Sequence, residues 1–497
     1  MTAQLPELQP ATRAFLARQL GHFINGKIVI PAGAAQSNVM DPGRGSLLTQ
    51  VPTGTSSDVE SAVSAARAAF TKGAWRDMKP NMRSRAMWKF ADLIEEHTQV
   101  LAELESLNAG LPIGAAKLGH IGTSVDLLRY AAGWPTKLLG RTIPVSAPGE
   151  WHAYTLRDPV GVVAQIVPWN GPLMMAAWKL APALATGCTI VLKPAEQTPL
   201  TAIYLAELAV EAGIPEGVFN VVLGGAEVGS ALSSHQDVDK IAFTGSTGVG
   251  RAIAVAAAQS NFKRVTLELG GKSPVIVFPD ADLTAAIPAI AAGIFSGAGQ
   301  ICTAGSRLYV HEKAFDRVLE GVAEAAGKLK VGYGLDPATN MGPLITAAHR
   351  DRVAGMTERA VRDGASVITG ASAIDGDGYF YQPTILANLT PDSSIVREEV
   401  FGPVLSALRF GDDDLDAIAA EANSSVYGLA ASIFTKDFSL AHKMAARVRA
   451  GTIGINRHFV GDSALPFGGF RQSGWGREKG EEMFNAYLET KSVAAPL

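Results

Sequence analysis

From Gly161 onward the chain alternates short apolar runs with amphipathic stretches, and this alternation constrains the fold more than any other feature. Residues 161–167, 189–192, 219–223, 240–243 and 265–267 read as strands, being short apolar runs bounded by turn residues. Residues 173–185, 200–212, 227–233 and 248–259 lie between them and carry helical periodicity. Parallel strands need a crossover of a dozen or more residues, and the intervening helices supply it. The pattern therefore predicts an α/β fold, a parallel sheet with helices on both faces. A second round follows at 275–278, 308–311, 405–410, 431–434 and 452–455. The two units abut near Gly270-Gly271, with no Pro- or Ser-rich linker between them.

Upstream, residues 57–134 are helical in pattern, with Val59, Val63, Ala66 and Phe70 at helix spacing. Residues 142–145 and 151–156, on either side of Ala147-Pro148-Gly149-Glu150, read as a β-hairpin. At 497 residues, 47% hydrophobic and 18% charged, the chain fits two or three globular domains rather than a disordered protein. A net charge of −4 argues against a nucleic-acid footprint. No apolar run is long enough to span a bilayer; 285–294 comes nearest and breaks at Pro288. The two cysteines, Cys188 and Cys302, do not make a disulfide framework, so a cytoplasmic location is expected.

Four segments carry candidate chemistry. Cys302 follows Gly297-Ala298-Gly299-Gln300-Ile301, a small-residue loop in which backbone amides can approach a carbonyl attacked by a thiol. The alternative is a buried, inert cysteine, which is the reading kept for Cys188. Glu268, between Leu267 and Leu269 and before two glycines, suits a general base raised by burial, or else an edge-strand ion pair. Gly245-Ser246-Thr247-Gly248 leaves a strand and opens a helix, as a phosphate-binding turn does, but its spacing is not GxGxxG. Lys193 and Glu196 end another strand, where they either grip ribose hydroxyls or form a surface ion pair.

These segments, with Pro168-Trp169-Asn170, Glu398-Glu399-Val400-Phe401-Gly402-Pro403 and Pro466-Phe467-Gly468-Gly469, match the aldehyde dehydrogenase superfamily in order and spacing from about His22 to Val493. The chain resembles that family, with a leaning toward phenylacetaldehyde dehydrogenases in Phe15–Gln19 and 455–469. The resemblance implies a Rossmann-like NAD-binding domain (1–137 and 160–269), an α/β catalytic domain (270–471) and an oligomerisation element (138–159 and 472–497), assembled as a homodimer or homotetramer. It implies Cys302 as nucleophile, Glu268 as general base and Asn170 as oxyanion donor. Ile166, Pro168, Trp169, Lys193, Glu196, Gly245, Ser246, Leu269, Glu399 and Phe401 would hold NAD, with NADP less favoured because Glu196 repels a 2′-phosphate.

Substrate-lining positions would be Gly171, Met174, Trp178, Ser296, Ile301, Phe459 and Phe467. Gly171 and Ser296 replace rings found in relatives that oxidise small aldehydes, which points to an aromatic or arylalkyl aldehyde. Arg457 and His458 are the cations that could bear on this tunnel. Lys179 and Glu478 would handle protons, and no metal is expected. A CoA-acylating relative would lack the Glu268 base; a non-catalytic protein would have lost Cys302 or Asn170; an esterase using the thiol alone would not need the cofactor motifs.

Overall fold

The computed structural model describes residues 7–411, 414–458 and 461–497. Its first sheet has eight strands in the order Gly474–Trp475, Arg264–Glu268, Lys240–Thr244, Val162–Ile166, Thr189–Lys193, Phe219–Val221, His22–Ile24, Lys27–Val29. The five central strands are parallel, and numbered along the chain from Val162 they run 3-2-1-4-5. That order reverses between Val162–Ile166 and Lys240–Thr244, which opens a crevice beyond their carboxyl ends.

The strands show why the periodicity was readable. Val162, Ala164 and Ile166 join one apolar cluster with Val191, Ile241 and Phe243, while Val163 and Val167 join the cluster on the opposite face with Ile190, Leu192 and Ala242. The second face is covered by the helix Pro172–Thr186, which is buried along its whole length except at Met174. Proline at its first position suits a helix start, and Gly187 at φ +94° ends it. Polar residues, Gln165, Lys240 and Thr244 among them, are also buried in this sheet.

The second sheet runs Ser366–Thr369, Thr384–Ala387, Val404–Phe410, Arg307–His311, Pro274–Val277, Ala430–Phe434, Thr452–Ile455, and has its own core. All its pairings are parallel except the first. The helical expectation over 57–134 resolves into Ser56–Lys72, Pro80–Glu96, Thr98–Ala109, a π-helical stretch Ala116–Gly122, and Thr123–Ala132.

The expected hairpin is different. Residues 142–145 form no strand; Thr142 makes one isolated bridge to Tyr154. Pro144 has no N–H with which to continue a ladder. The strand Trp151–Pro159 instead pairs antiparallel with Leu488–Pro496 over nine residue pairs. Among the described residues no helix is long and apolar enough to cross a membrane.

Candidate active site

Register places the site residues at one edge of the first sheet. Ile166 lies beside Lys193 and Phe243, and Thr244 beside Glu268. Pro168, Trp169 and Asn170 leave the first of these strands at the crevice, and Gly245 and Ser246 leave its neighbour. The Gly245 N–H donates to the Glu268 carbonyl at 3.0 Å. Ser246 caps the helix Thr247–Gln259, its Oγ accepting from the Val249 N–H at 3.4 Å. A Cβ on Gly248 in that first turn would meet nothing within 4 Å, so the helix N-terminus lies open. Leu269 packs on Gly250, where a Cβ would come within 2.6 Å of Leu269 Cδ2.

The Lys193 ammonium bonds to the Pro194 carbonyl at 3.2 Å, and burial lowers its pKa to about 8, with Glu196 pulling the other way. Glu196 borders a small surface cleft with Pro194, Ala195, Leu223 and Gly224. A Cβ on Gly225 would lie 2.6 Å from Glu196 Oε2, so the glycine lets that carboxylate lie close to the backbone. An open helix N-terminus, a cation and a carboxylate, all at carboxyl ends of strands in one sheet, fit a dinucleotide.

Cys302 is carried by an unusual loop. Gly297, Ala298 and Gly299 follow one another at φ +56°, +55° and +69°. At Gly299 a Cβ would sit 2.1 Å from the Gly402 carbonyl oxygen, so glycine is required there. Gln300 pins the loop: its amide donates to Gly297 and Pro343 carbonyls at 3.1 and 3.3 Å, and its Oε1 accepts from the Ile345 N–H at 3.0 Å. The Gln300 backbone carbonyl accepts from Asn170 Nδ2 at 2.7 Å. On the other side, His458 Nε2 lies 3.0 Å from the Thr303 carbonyl. The ring of His458 is thus a support of the cysteine loop. Burial raises the Cys302 thiol to about 12, and the carboxylates of Glu268 and Glu399 add to that rise.

Glu268 is buried, and neither of its oxygens has a hydrogen-bond partner among the described residues. Burial, and then the neighbouring Glu478, hold its pKa well above the usual carboxylate range; Lys179 and Arg477 oppose them. Lys179, fully buried, donates to Thr244 Oγ1 at 2.7 Å and to Glu478 Oε1. Glu478 Oε2 is buried without a partner among the described residues. Glu399 Oε1 accepts from the Gly271 N–H at 2.9 Å, so this carboxylate meets the loop that leaves Glu268. Phe401, at φ +56°, has its carbonyl 2.7 Å from His349 Nε2, and Trp169 packs edge-on against its ring at 5.4 Å.

Of the lining positions, Trp178 and Phe467 meet edge to face at 5.0 Å, Met174 and Ile301 are half-buried, and Ser296 is exposed. Phe459 lies outside the described residues. The space beside Gly171 is partly taken: a Cβ there would lie 3.3 Å from Met174 Cε and 3.5 Å from His120 Cε1. Sequence reasoning missed His120, as it missed Gln300 and the Lys479 ammonium, which sits 4.0 Å from the Trp178 ring centroid. No spacing rule points to any of the three. His120 lies within an irregular turn of helix, Gln300 acts through its amide, and Lys479 is an ordinary surface type.

The aldehyde dehydrogenase family model matches residues 30–493. The chain belongs to the aldehyde dehydrogenase family. A phenylacetaldehyde dehydrogenase of Pseudomonas fluorescens is 48% identical over 478 residues, covering 95% of each chain. The NAD+ complex structure of an aldehyde dehydrogenase from Bacillus cereus superposes with a TM-score of 0.97 at 44% identity, covering 99% of this chain and 100% of that one. An indole-3-acetaldehyde dehydrogenase of P. syringae, solved with NAD+ and IAA, gives 0.94 at 42% identity and 98% coverage of both chains.

Proposed function

We propose that this aldehyde dehydrogenase oxidises an arylalkyl aldehyde such as phenylacetaldehyde to its carboxylic acid, consuming water and NAD+ and releasing NADH and a proton. The observation that carries the reading is the meeting of three groups. The Cys302 loop is tied to the Asn170 amide, and Glu268 stands close enough to the thiol to perturb it.

Cys302 Sγ attacks the aldehyde carbon once its proton has passed to Glu268 through a water. The resting pKa near 12 means that the thiol is protonated until a base acts on it. Asn170 Nδ2 and the Cys302 backbone N–H hold the oxyanion of the thiohemiacetal. NAD, when bound, supplies the hydride acceptor. Lys193 and Glu196 hold the adenosine ribose, Ser246 and the open helix N-terminus the pyrophosphate, and Glu399 the nicotinamide ribose, with Ile166, Pro168, Trp169, Gly245, Leu269 and Phe401 shaping the cleft. The carboxylate of Glu196 favours NAD over NADP. Once Glu478 and Lys179 have carried the thiol's proton away, Glu268 deprotonates the water that hydrolyses the thioester left on Cys302, and the same pair takes that second proton.

An aromatic substrate is supported by Gly171 and Ser296 in place of rings, by the apolar pair Trp178 and Phe467, and by the named activities of the P. fluorescens and P. syringae relatives. Residues 1–137 and 160–269 form the cofactor-binding unit, and 270–471 the catalytic unit. The ribbon of Trp151–Pro159 and Leu488–Pro496 is an oligomerisation element: two strands alone are marginally stable in water, and a partner covering them makes a homodimer or homotetramer. Cysteines that are both free fit a cytoplasmic enzyme.

The test is NADH formation with a panel of aliphatic, benzylic and arylalkyl aldehydes. Preference for acetaldehyde over phenylacetaldehyde overturns the substrate class, and NADH formation by Cys302→Ala overturns the mechanism.

A further inference from the structure

His120 stands in a segment that the mechanism does not use. Residues Ala116–Gly122 form a π-helix, a rare conformation that recurs at functional sites. The segment is held by Ser124 Oγ, which donates to the His120 carbonyl at 2.6 Å, and by Thr123 Oγ1, which donates to the Gly119 carbonyl at 2.5 Å. It sets the His120 ring against Gly171, next to Asn170, in space a larger residue at 171 would fill.

The ring is oriented from below. Glu105 is buried, and its Oε2 lies 3.1 Å from His120 Nδ1. Its Oε1 accepts from Thr201 Oγ1 at 2.9 Å and from the Leu173 N–H at 3.3 Å. A carboxylate beside Nδ1 makes that nitrogen the protonated one, which leaves the lone pair on Nε2. Among the described residues Nε2 makes no hydrogen bond, and the side chain keeps 14% of its surface exposed. The same carboxylate that holds the first turn of Pro172–Thr186 therefore aims a hydrogen-bond acceptor alongside apolar walls.

We propose that His120 Nε2 accepts a hydrogen bond from a hydroxyl on the part of the substrate remote from its aldehyde, so that the enzyme prefers phenol-bearing arylalkyl aldehydes to their unsubstituted parents. This deepens the arylalkyl reading above and rests on it. An apolar parent leaves Nε2 without a partner once water is displaced, and a site built to hydrogen-bond a hydroxyl discriminates against the analogue that lacks it.

The experiment compares kcat/KM for phenylacetaldehyde and its 3- and 4-hydroxy derivatives, for hexanal and 6-hydroxyhexanal, and for an aldehyde ending in a carboxylate. The enzymes are wild type, His120→Leu and His120→Gln. Wild type is expected to prefer the better placed phenol to phenylacetaldehyde by about tenfold, mainly through KM. His120→Leu removes that preference while holding phenylacetaldehyde turnover within about twofold, and His120→Gln, with an amide oxygen as acceptor, restores part of it. An equal ratio in wild type and His120→Leu overturns the proposal. So does a wild-type preference for the carboxylate-ended aldehyde, which needs no variant to fold and marks the ring as a cation. Should no arylalkyl aldehyde turn over, the substrate class of the proposed function falls, and the hexanal pair still decides the role of His120.

Discussion

Asn170 Nδ2 donates to the backbone carbonyl of Gln300 at 2.7 Å, tying the segment after a central strand of the first sheet to the loop that bears Cys302. One of the two amide hydrogens is thus spent on positioning, which leaves the other for the oxyanion. Asn170→Ala should lower kcat by about 10²–10³. Alkylation of Cys302 by iodoacetamide should persist, because the thiol remains. Loss of alkylation together with loss of turnover would show that the amide only maintains the loop.

Glu268→Gln should separate the two halves of the reaction. A pre-steady-state burst of NADH survives in amplitude but rises more slowly, because the thiol must then lose its proton to solvent, and steady turnover falls by at least about a hundredfold, because no carboxylate activates the water. Rapid-mixing absorbance checks both amplitudes. Steady turnover at the wild-type rate would remove Glu268 from its role.

The pH dependence has a determined sign. Burial and Glu478 raise the Glu268 carboxyl, and Lys179 lowers it. The base acts when deprotonated, so turnover rises with pH through that elevated value. Glu478→Gln removes a negative neighbour and leaves Lys179 uncompensated, and the rising limb of the rate profile moves toward acid. Lys179→Met moves the limb toward alkaline pH. Profiles of kcat in the three proteins measure both displacements, and unmoved limbs would mean that another group titrates.

Glu196→Gln should raise kcat/KM for NADP relative to NAD, by about tenfold, since a carboxylate beside the 2′-phosphate is replaced by a neutral donor. Unchanged discrimination would relocate the ribose grip.

Gly299→Ala should cost about 3 kcal/mol or more, combining a left-handed backbone with a methyl set against the Gly402 carbonyl. Denaturant unfolding gives the loss directly. A variant as stable as wild type would mean that the loop relaxes freely.

Much of this was legible because the buried strands of a parallel sheet are written as apolar runs with helices between, and the expected 240–243 and 452–455 became Lys240–Thr244 and Thr452–Ile455. The N-terminal strands were not foreseen, although Asn25-Gly26 between His22–Ile24 and Lys27–Val29 carries the signal of a two-residue hairpin turn. The strands on either side are only three residues long, too short for periodicity to register. The partner of Trp151–Pro159 lies more than three hundred residues away, beyond any local rule. At the site, motif residues stood out, but their supports did not. Gln300, Glu105 and His458 act through contacts distant in sequence, and nothing local marks them.

Gly474–Trp475 closes the first sheet by pairing with Leu267 and Glu268. During synthesis, the strand that bears Glu268 therefore waits with an open edge while some two hundred further residues are made, a bare template for intermolecular pairing. A nascent or truncated chain that stops before Gly474 should be inert and prone to stick to its neighbours, so chaperone demand during biogenesis is built into the order of the strands.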